Sequence, residues 1–471
     1  MRLTAAVALL ALAGTSPLTA GDAAPSAASI ETATQLRDQA LKGNRAYELT
    51  ASLTTDVGQR MAGSDGDRRA VQWAKAKFEA LGFDRIELQP VSYPRWVRRH
   101  ESGAITAPYN MPMHLTALGR SHGTDGDLNA EVVRFEDIEA LKAAADGSLA
   151  GKIAFIDKRM PRSQSGHGYG ETVAGRSTGA VVAASKGAAA LLIRSIGTDD
   201  NRLPHTGAMW QRPENPTVPA AALSIPDADQ LARLLAMGPV SVRLNLDVGF
   251  DGDFESANVI GEITGRETPD EFVVIGGHLD SWDLGTGAID DASGIGVTMA
   301  AGALIAALPE RPRRSIRVVA FANEEQGVFG GRAFAEANDP AKAVVGAESD
   351  MGADRIYVLR SSLRDTPDAT IKAMAGLMAP LDIPYDDGEG HSGADLSALA
   401  NEGMPFVSLV QDATRYFDYH HTANDTLDKV DAKALDQQVA AYAIFAWLAA
   451  DGDSDFGRST ATAKEADQSG K

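Results

Sequence analysis

Apolar residues recur at helical spacing from about 30 to 55 and again over 68–81, where Ala70, Val71, Trp73, Ala74, Phe78 and Leu81 share one side and Gly82 supplies a stop. Between them, DVGQRMAGSDGD (56–67) reads as a loop, and 86–91 alternates as a strand should. From about 110 to 250 the texture changes to short pieces. Buried strands are predicted at 152–157, 188–193 and 218–223, helices at 177–186 and 226–235, and an alternating strand at 241–248. Together they read as a small, β-rich module with its own core.

Segments 256–265 and 271–276 then predict a strand pair separated by a Pro-Asp turn. A strand–helix–strand rhythm follows, with strands at 272–276 and 316–321 around a helix over 291–308. Further strands are predicted at 355–359 and 405–410, a helix at 367–377 and a final amphipathic helix at 432–449. This alternation predicts an α/β fold, a mixed sheet mostly parallel at its centre and sandwiched by helices. Residues 30–110 and 251–452 are expected to form one domain, with 111–250 inserted where chain ends lie close at a surface. Residues 453–471 read as a disordered polar tail, and no internal repeat is present.

At 471 residues the chain exceeds one compact domain, and 44% hydrophobic with 23% charged residues is ordinary globular composition. A formal charge of −20 repels nucleic acid and anionic membranes, so neither is expected as a partner. The absence of cysteine excludes thiolate sites, catalytic cysteine and disulfides. A transition-metal site must therefore use His, Asp and Glu, a set suited to zinc and less often to manganese or cobalt. Residues 1–20 read as a signal peptide: Arg2 opens it, 3–14 is apolar, and Thr19 and Ala20 suit cleavage. A secreted or periplasmic protein is implied, free of the membrane after cleavage, and no other stretch reads as long and apolar enough to span one.

The candidate chemistry centres on FVVIGGHLDSWDLGTGAIDDASG (272–294). An apolar strand ends at His278, and a glycine-rich loop leads through Asp290 and Asp291 into a helix. In open α/β sheets the site lies beyond the carboxyl ends of the strands. Asn323-Glu324-Glu325, Asp350 and the pair His420-His421 fall after other apolar runs, so four loops can converge. Asp280 is placed to hold the second ring nitrogen of His278. Asp290 can bridge two metals, and Asp291 beside it can cap the helix instead. Adjacent strand-end residues point to opposite sides, which assigns Glu325 to metal and Glu324 to the general base. Asp350 alone reads equally as a cap. One of His420 and His421 is expected as a ligand, and His391 as a substrate contact or a cap. The remaining histidines, His205 among them, read as surface or core residues.

With these residues in this order, the chain resembles the dizinc exopeptidases related to carboxypeptidase Q and the bacterial zinc aminopeptidases. The likeness rests on GGHLDSWDLGTGAIDDASG, NEEQG, ESDMG, HHTANDT and VGQRMAGS. It extends to GKIAFID and NPTVPAAALS, which are similar to a protease-associated insertion. The resemblance implies two Zn²⁺ ions, one on His278 and Asp350, the other on Glu325 and His421, bridged by Asp290. It implies Glu324 as base and Asp280 as the residue orienting the first histidine, and it favours His421 because Asp425 follows four residues later. The implied activity is hydrolysis of dipeptides or short peptides with a free terminus. An aminopeptidase, a single-zinc cyclase and a non-catalytic binding protein on the same scaffold are the alternatives. The middle module can cover the cleft, pair two chains as a homodimer, or both.

Overall fold

The computed structural model of the chain describes residues 24–210 and 217–458. The signal-peptide reading of 1–20 lies outside the described residues. Three parallel strands form the centre of the larger α/β half, in the order Ala343–Glu348, Thr268–His278, Arg314–Phe321. Phe272, Val273, Val274 and Ile275 are all buried, as a strand covered by helices on both faces requires. Beyond Arg314–Phe321 the sheet turns antiparallel through Ser241–Ile263, so it is mixed, with a parallel centre. A separate antiparallel pair, Ile356–Ser361 with Val407–Gln411, abuts the far edge, where Gly346 N donates to Pro405 O (3.0 Å).

The 256–265 and 271–276 segments do not pair with each other, contrary to the sequence expectation, because Arg314–Phe321 lies between them. Their connection arches over the entry of that strand. Gly265 N donates to Ser315 Oγ (3.1 Å), and Arg266 N and Glu267 N donate to the carbonyls of Pro312 and Arg313. A Pro-Asp turn does not specify which strands share a ladder, and filling the gap buries Val318, Val319 and Ala320.

Arg85–Ala107 and Ser241–Ile263 are each 23 residues long and pair antiparallel over almost their whole length, with three register shifts. One end of this ribbon lies in the larger half. At the other end Ser241–Ile263 pairs with Leu128–Phe135, which leads into the parallel strands Ile153–Ile156, Ala190–Arg194 and Ala220–Leu223. The chain thus passes position 250 inside a strand, with no linker. Trp96, Ile105, Phe155, Leu192 and Leu244 form a core in the middle half. Trp282, four residues after His278, reaches across into it, edge-on to Trp96 (6.3 Å between centroids). Gly119 makes room: a Cβ there would stand 2.1 Å from the indole of Trp282.

The helix predicted at 68–81 spans Asp65–Ala80, because Ser64 Oγ accepts from Asp67 N (3.2 Å) and starts it earlier, a cap that apolar periodicity does not reveal. The last helix, Ala432–Asp451, is not amphipathic: 16 of its 20 residues are buried, packed against Ala27–Lys42, Ser293–Ala306 and Ala369–Met378. Residues 288–306 are also long and apolar enough to cross a membrane, which corrects the expectation that no such stretch follows the leader; 89% of the most apolar window is buried inside the protein. Residues 454–458 are packed, contrary to the expected tail, with Ser454 and Phe456 buried and Arg314 Nη1 donating to Ser454 O (2.8 Å); the rest of that tail lies outside the described residues.

Because the ribbon threads both halves, chemical denaturation is expected to show a single transition. Trp96→Ala should lower stability by about 3–5 kcal/mol, with fluorescence from the two halves lost together. Two separated transitions would show that the ribbon does not couple them.

Candidate metal centre

The three parallel strands end on one edge of the sheet. His278 closes Thr268–His278, Glu324 and Glu325 follow Arg314–Phe321, and Asp350 follows Ala343–Glu348. Asp290 and Asp291 occupy the tight turn before Ser293–Ala306. His421 lies in a loop with a positive φ of 61°, in the left-handed region that few non-glycine residues adopt. The structure brings all of these side chains together. His278 Nε2 lies 3.0 Å from Asp290 Oδ1 and 3.3 Å from Asp350 Oδ1. His421 Nε2 lies 2.9 Å from Glu325 Oε2 and 3.3 Å from Asp290 Oδ2. Asp290 therefore turns one oxygen to each histidine. Asp290, Glu324, Glu325, Asp350, His420 and His421 line a cleft of about 290 Å³.

The ring tautomers decide what this cluster can hold. His278 Nδ1 lies 3.1 Å from Asp280 O, and His421 Nδ1 lies 3.2 Å from Thr206 O. A carbonyl only accepts, so Nδ1 carries the proton in both rings and the lone pair of a neutral ring sits on Nε2. Each Nε2 then faces carboxylate oxygens, acceptor against acceptor, unless a proton or a cation lies between. Buried Asp290 Oδ2 and Glu325 Oε1 lack any hydrogen-bond partner. Two ligands at about 2.0–2.1 Å on a tetrahedral ion stand about 3.3 Å apart, the spacing seen here. The donor set fits metal ions.

The titration directions express the same crowding. Burial pushes Glu324 and Glu325 well above the usual carboxylate range, and neighbouring carboxylates, Asp350 for the first and Asp290 for the second, add to it. Burial raises Asp350 as well. Burial opposes the charged form of His278, but the charge of Asp350 and the carboxylates of Asp280, Asp290 and Asp350 close to the ring outweigh it and hold the ring well above its ordinary value. Burial pushes His421 well down.

Residues around the cluster hold it in place. Asp291 is the helix cap: Oδ1 accepts from Gly294 N and Oδ2 from His278 N, each at 3.0 Å. The Asp280 carboxylate was expected on the His278 ring. It stands 3.7 Å from Nδ1, farther than its own carbonyl, and Oδ1 instead accepts from Glu324 N (3.0 Å). Its backbone orients the imidazole, while its side chain orients the neighbouring strand end. Asp425 makes no hydrogen bond or ion pair with His421. Its Oδ1 accepts from Ala288 N (2.7 Å) and Ile289 N (2.8 Å), fastening the turn that carries Asp290. His420 stacks on His421 (3.5 Å between centroids) among Tyr416 and Phe417, with Nε2 3.8 Å from Asp290. His391 is exposed, its backbone bonded to Ser408, and it does not line the cleft.

Three contributors carried no signal in the sequence. Fully buried Arg60 donates to the carbonyls of Leu279, Thr286 and Gly287 at 2.6–2.8 Å, tying together both ends of the glycine-rich loop. Its segment, VGQRMAGS, stood out only by likeness. His205 is buried, with Nδ1 2.7 Å from His420 O and Nε2 2.6 Å from Asp199. Thr206 holds His421 from both sides, donating N to its carbonyl (3.0 Å) and accepting from its ring. The last two belong to the middle half, 215 positions from the histidines they hold.

A buried histidine–carboxylate cluster on the carboxyl edge of this mixed α/β sheet defines a zinc-dependent metallo-exopeptidase. The model of peptidase family M28 matches residues 258–446. Carboxypeptidase Q of Mus musculus is 33% identical over 88% of this chain and 88% of its own length, and that of Xenopus laevis 32% over 87% and 86%. The crystal structure of a peptidase M28 precursor from Shewanella amazonensis superposes with a TM-score of 0.87 at 45% identity, covering 90% of this chain and 97% of that one. An aminopeptidase from Aneurinibacillus sp. strain AM-1 shares the fold at 21% identity, with a TM-score of 0.63 over 88% of this chain and 95% of that one. The chain belongs to peptidase family M28.

The carboxyl crowding predicts how the metal-free protein responds to pH. Burial raises Glu348 to about 8 and Asp425 to about 7, against about 4 in an unfolded chain. A carboxyl raised on folding stabilises the fold below its unfolded value and loses that contribution as pH climbs to the folded one. His420, pushed down to about 3 by burial, acts in the opposite sense, but only below its unfolded value of about 6.5. Metal-stripped protein should therefore lose stability between pH 6.5 and 8, roughly 2 kcal/mol from Glu348 alone. A Tm that is flat or rising across that window, by calorimetry, contradicts this.

Proposed function

We propose that the protein is an exported, dizinc exopeptidase that hydrolyses dipeptides or short peptides with a free terminus, as a carboxypeptidase Q-like enzyme. The observation that carries the reading is the double confrontation of a histidine Nε2 with carboxylate oxygens on the two sides of Asp290. On this reading His278 and Asp350 hold one zinc, Glu325 and His421 the other, and Asp290 lies between them. When bound, the ions supply Lewis-acid polarisation of the scissile carbonyl and a more acidic water.

Glu324 is the general base in this reading. It lines the cleft beside the cluster and takes the proton of the water that attacks the peptide carbonyl. It then returns that proton to the departing amine, which must leave neutral. Asp280 positions it by holding its backbone N–H, and Asp290 keeps the two histidines apart at a fixed span. The aromatic wall of Tyr169, Tyr416 and Phe417 excludes water from one side of the cleft. Residues 111–250, the protease-associated-like part, cover the site and lock the histidine loop.

Elemental analysis of purified protein should find two zinc ions per chain, and chelation should abolish dipeptide hydrolysis until zinc is restored. Glu324→Gln should keep the zinc and lose about 10²–10⁴-fold in kcat. Turnover near wild type in that variant removes Glu324 from the base role. Protein that takes up no zinc and stays inert toward every short peptide after zinc is supplied would sink the reading as a whole.

A further inference from the structure

Arg176 sits in the short helical run Ala174–Ser177 of the middle half, 5% exposed, and lines the same cleft as Asp290, Glu324, Asp350 and His421. Its Nη2 donates to the Tyr169 hydroxyl, and the guanidinium lies over the Tyr169 ring, 5.3 Å from its centroid. Nε and Nη1 are buried without a hydrogen-bond partner. The guanidinium also has room that only glycine leaves, since a Cβ on Gly207 (φ +132°) would stand 2.3 Å from Nη1. Taking a cation out of water is costly unless an anion pairs with it, and no carboxylate of the described residues forms an ion pair with Arg176. The groups facing it are a phenol, an aromatic wall and the open cleft.

Its place relative to the metal ligands sets what that anion is. The Tyr169 ring lies 5.5 Å from the His420 ring, whose Nε2 is 3.8 Å from Asp290 Oδ2. Arg176 is thus set off from the cluster by the rings of Tyr169 and His420 while lining the same cleft, and an extended dipeptide spans about 7 Å. Besides Arg176, the lining holds two histidines and four carboxylates (Asp290, Glu324, Glu325, Asp350), so one guanidinium shares the cleft with the acidic cluster. We propose that Arg176 pairs with the α-carboxylate of the substrate's C-terminal residue and thereby sets the enzyme's choice of chain end. This rests on the exopeptidase reading above and adds to it the residue that selects the terminus. A planar guanidinium with a nitrogen already fixed by Tyr169 meets a carboxylate with little further ordering, which a flexible lysine does not.

The test compares zinc-loaded wild type, Arg176→Ala and Arg176→Lys on a dipeptide and its C-terminal amide. The wild type should favour the free acid. In Arg176→Ala the acid-to-amide ratio of kcat/KM should fall about 10- to 100-fold, the scale of a lost charge-assisted hydrogen bond, chiefly through KM. Arg176→Lys should fall in between, and millimolar guanidinium should restore hydrolysis of the acid by Arg176→Ala. Calorimetry on Glu324→Gln, with and without Arg176→Ala, should show the same loss in dipeptide affinity without turnover. An unchanged ratio in Arg176→Ala, or a wild type that cleaves acid and amide alike, overturns the assignment and leaves the peptidase reading standing. A wild type that neither cleaves nor binds any peptide of the panel sinks the peptidase reading itself. If Arg176→Ala does not fold, Arg176→Gln decides by the same ratio.

Discussion

His278 and His421 each commit Nδ1 to a backbone carbonyl and turn Nε2 toward the oxygens of one shared carboxylate, Asp290. In water this arrangement would relax by rotating a ring or hydrating an oxygen. Here neither is open, because the groups are buried and the rings are held at their far side. Much of the surrounding structure keeps mutually repelling groups in place. Arg60 closes the loop that leaves His278, Asp291 and Asp425 brace the turn that presents Asp290, and Asp280 braces the strand end that presents Glu324. Each brace uses a side chain on a backbone group, which leaves the cluster's own oxygens free.

The middle half takes part in this bracing. Thr206 and His205 hold the two histidines, Thr198 N bonds Phe417 O (3.0 Å), and Arg162 reaches both Thr414 O and Asp418. Trp282 returns the contact from the other side. The module is therefore structural support for the second histidine as well as a wall of the cleft. A metal ligand whose orienting partner lies on another part of the fold is sensitive to how the two parts are set against each other.

The central strands and the loops after them were legible in the sequence because chemistry and hydrophobic pattern coincide there. An apolar run ending in His278 or in Asn323-Glu324-Glu325 announces both a buried strand and a polar mouth. Strand neighbours were not legible: 256–265 and 271–276 look like a hairpin, and only the burial of Arg314–Phe321 between them shows otherwise. Helix faces failed where burial is complete, as in Ala432–Asp451, expected to be amphipathic, whose Gln437 and Gln438 bond to backbone in the core. Arg60, His205 and Arg176 were invisible because each has its meaning through groups distant in sequence. Asp280 and Asp425 were found as members of the site, but their contacts were not, since a carboxylate near a histidine in sequence can serve a backbone N–H instead.

The long ribbon of Arg85–Ala107 and Ser241–Ile263 makes the two halves inseparable in a specific sense. Excising residues 111–250 would remove the part of the second strand that pairs with Trp96 to Ala107 and leave that half of the first strand without its partner. The remnant would carry frayed, unpaired edges and an indole, Trp282, without its socket. Lineages that shed or exchange this piece must therefore rebuild the seam as well as the loops, so transplanting modules between relatives cannot proceed by cutting where the composition changes.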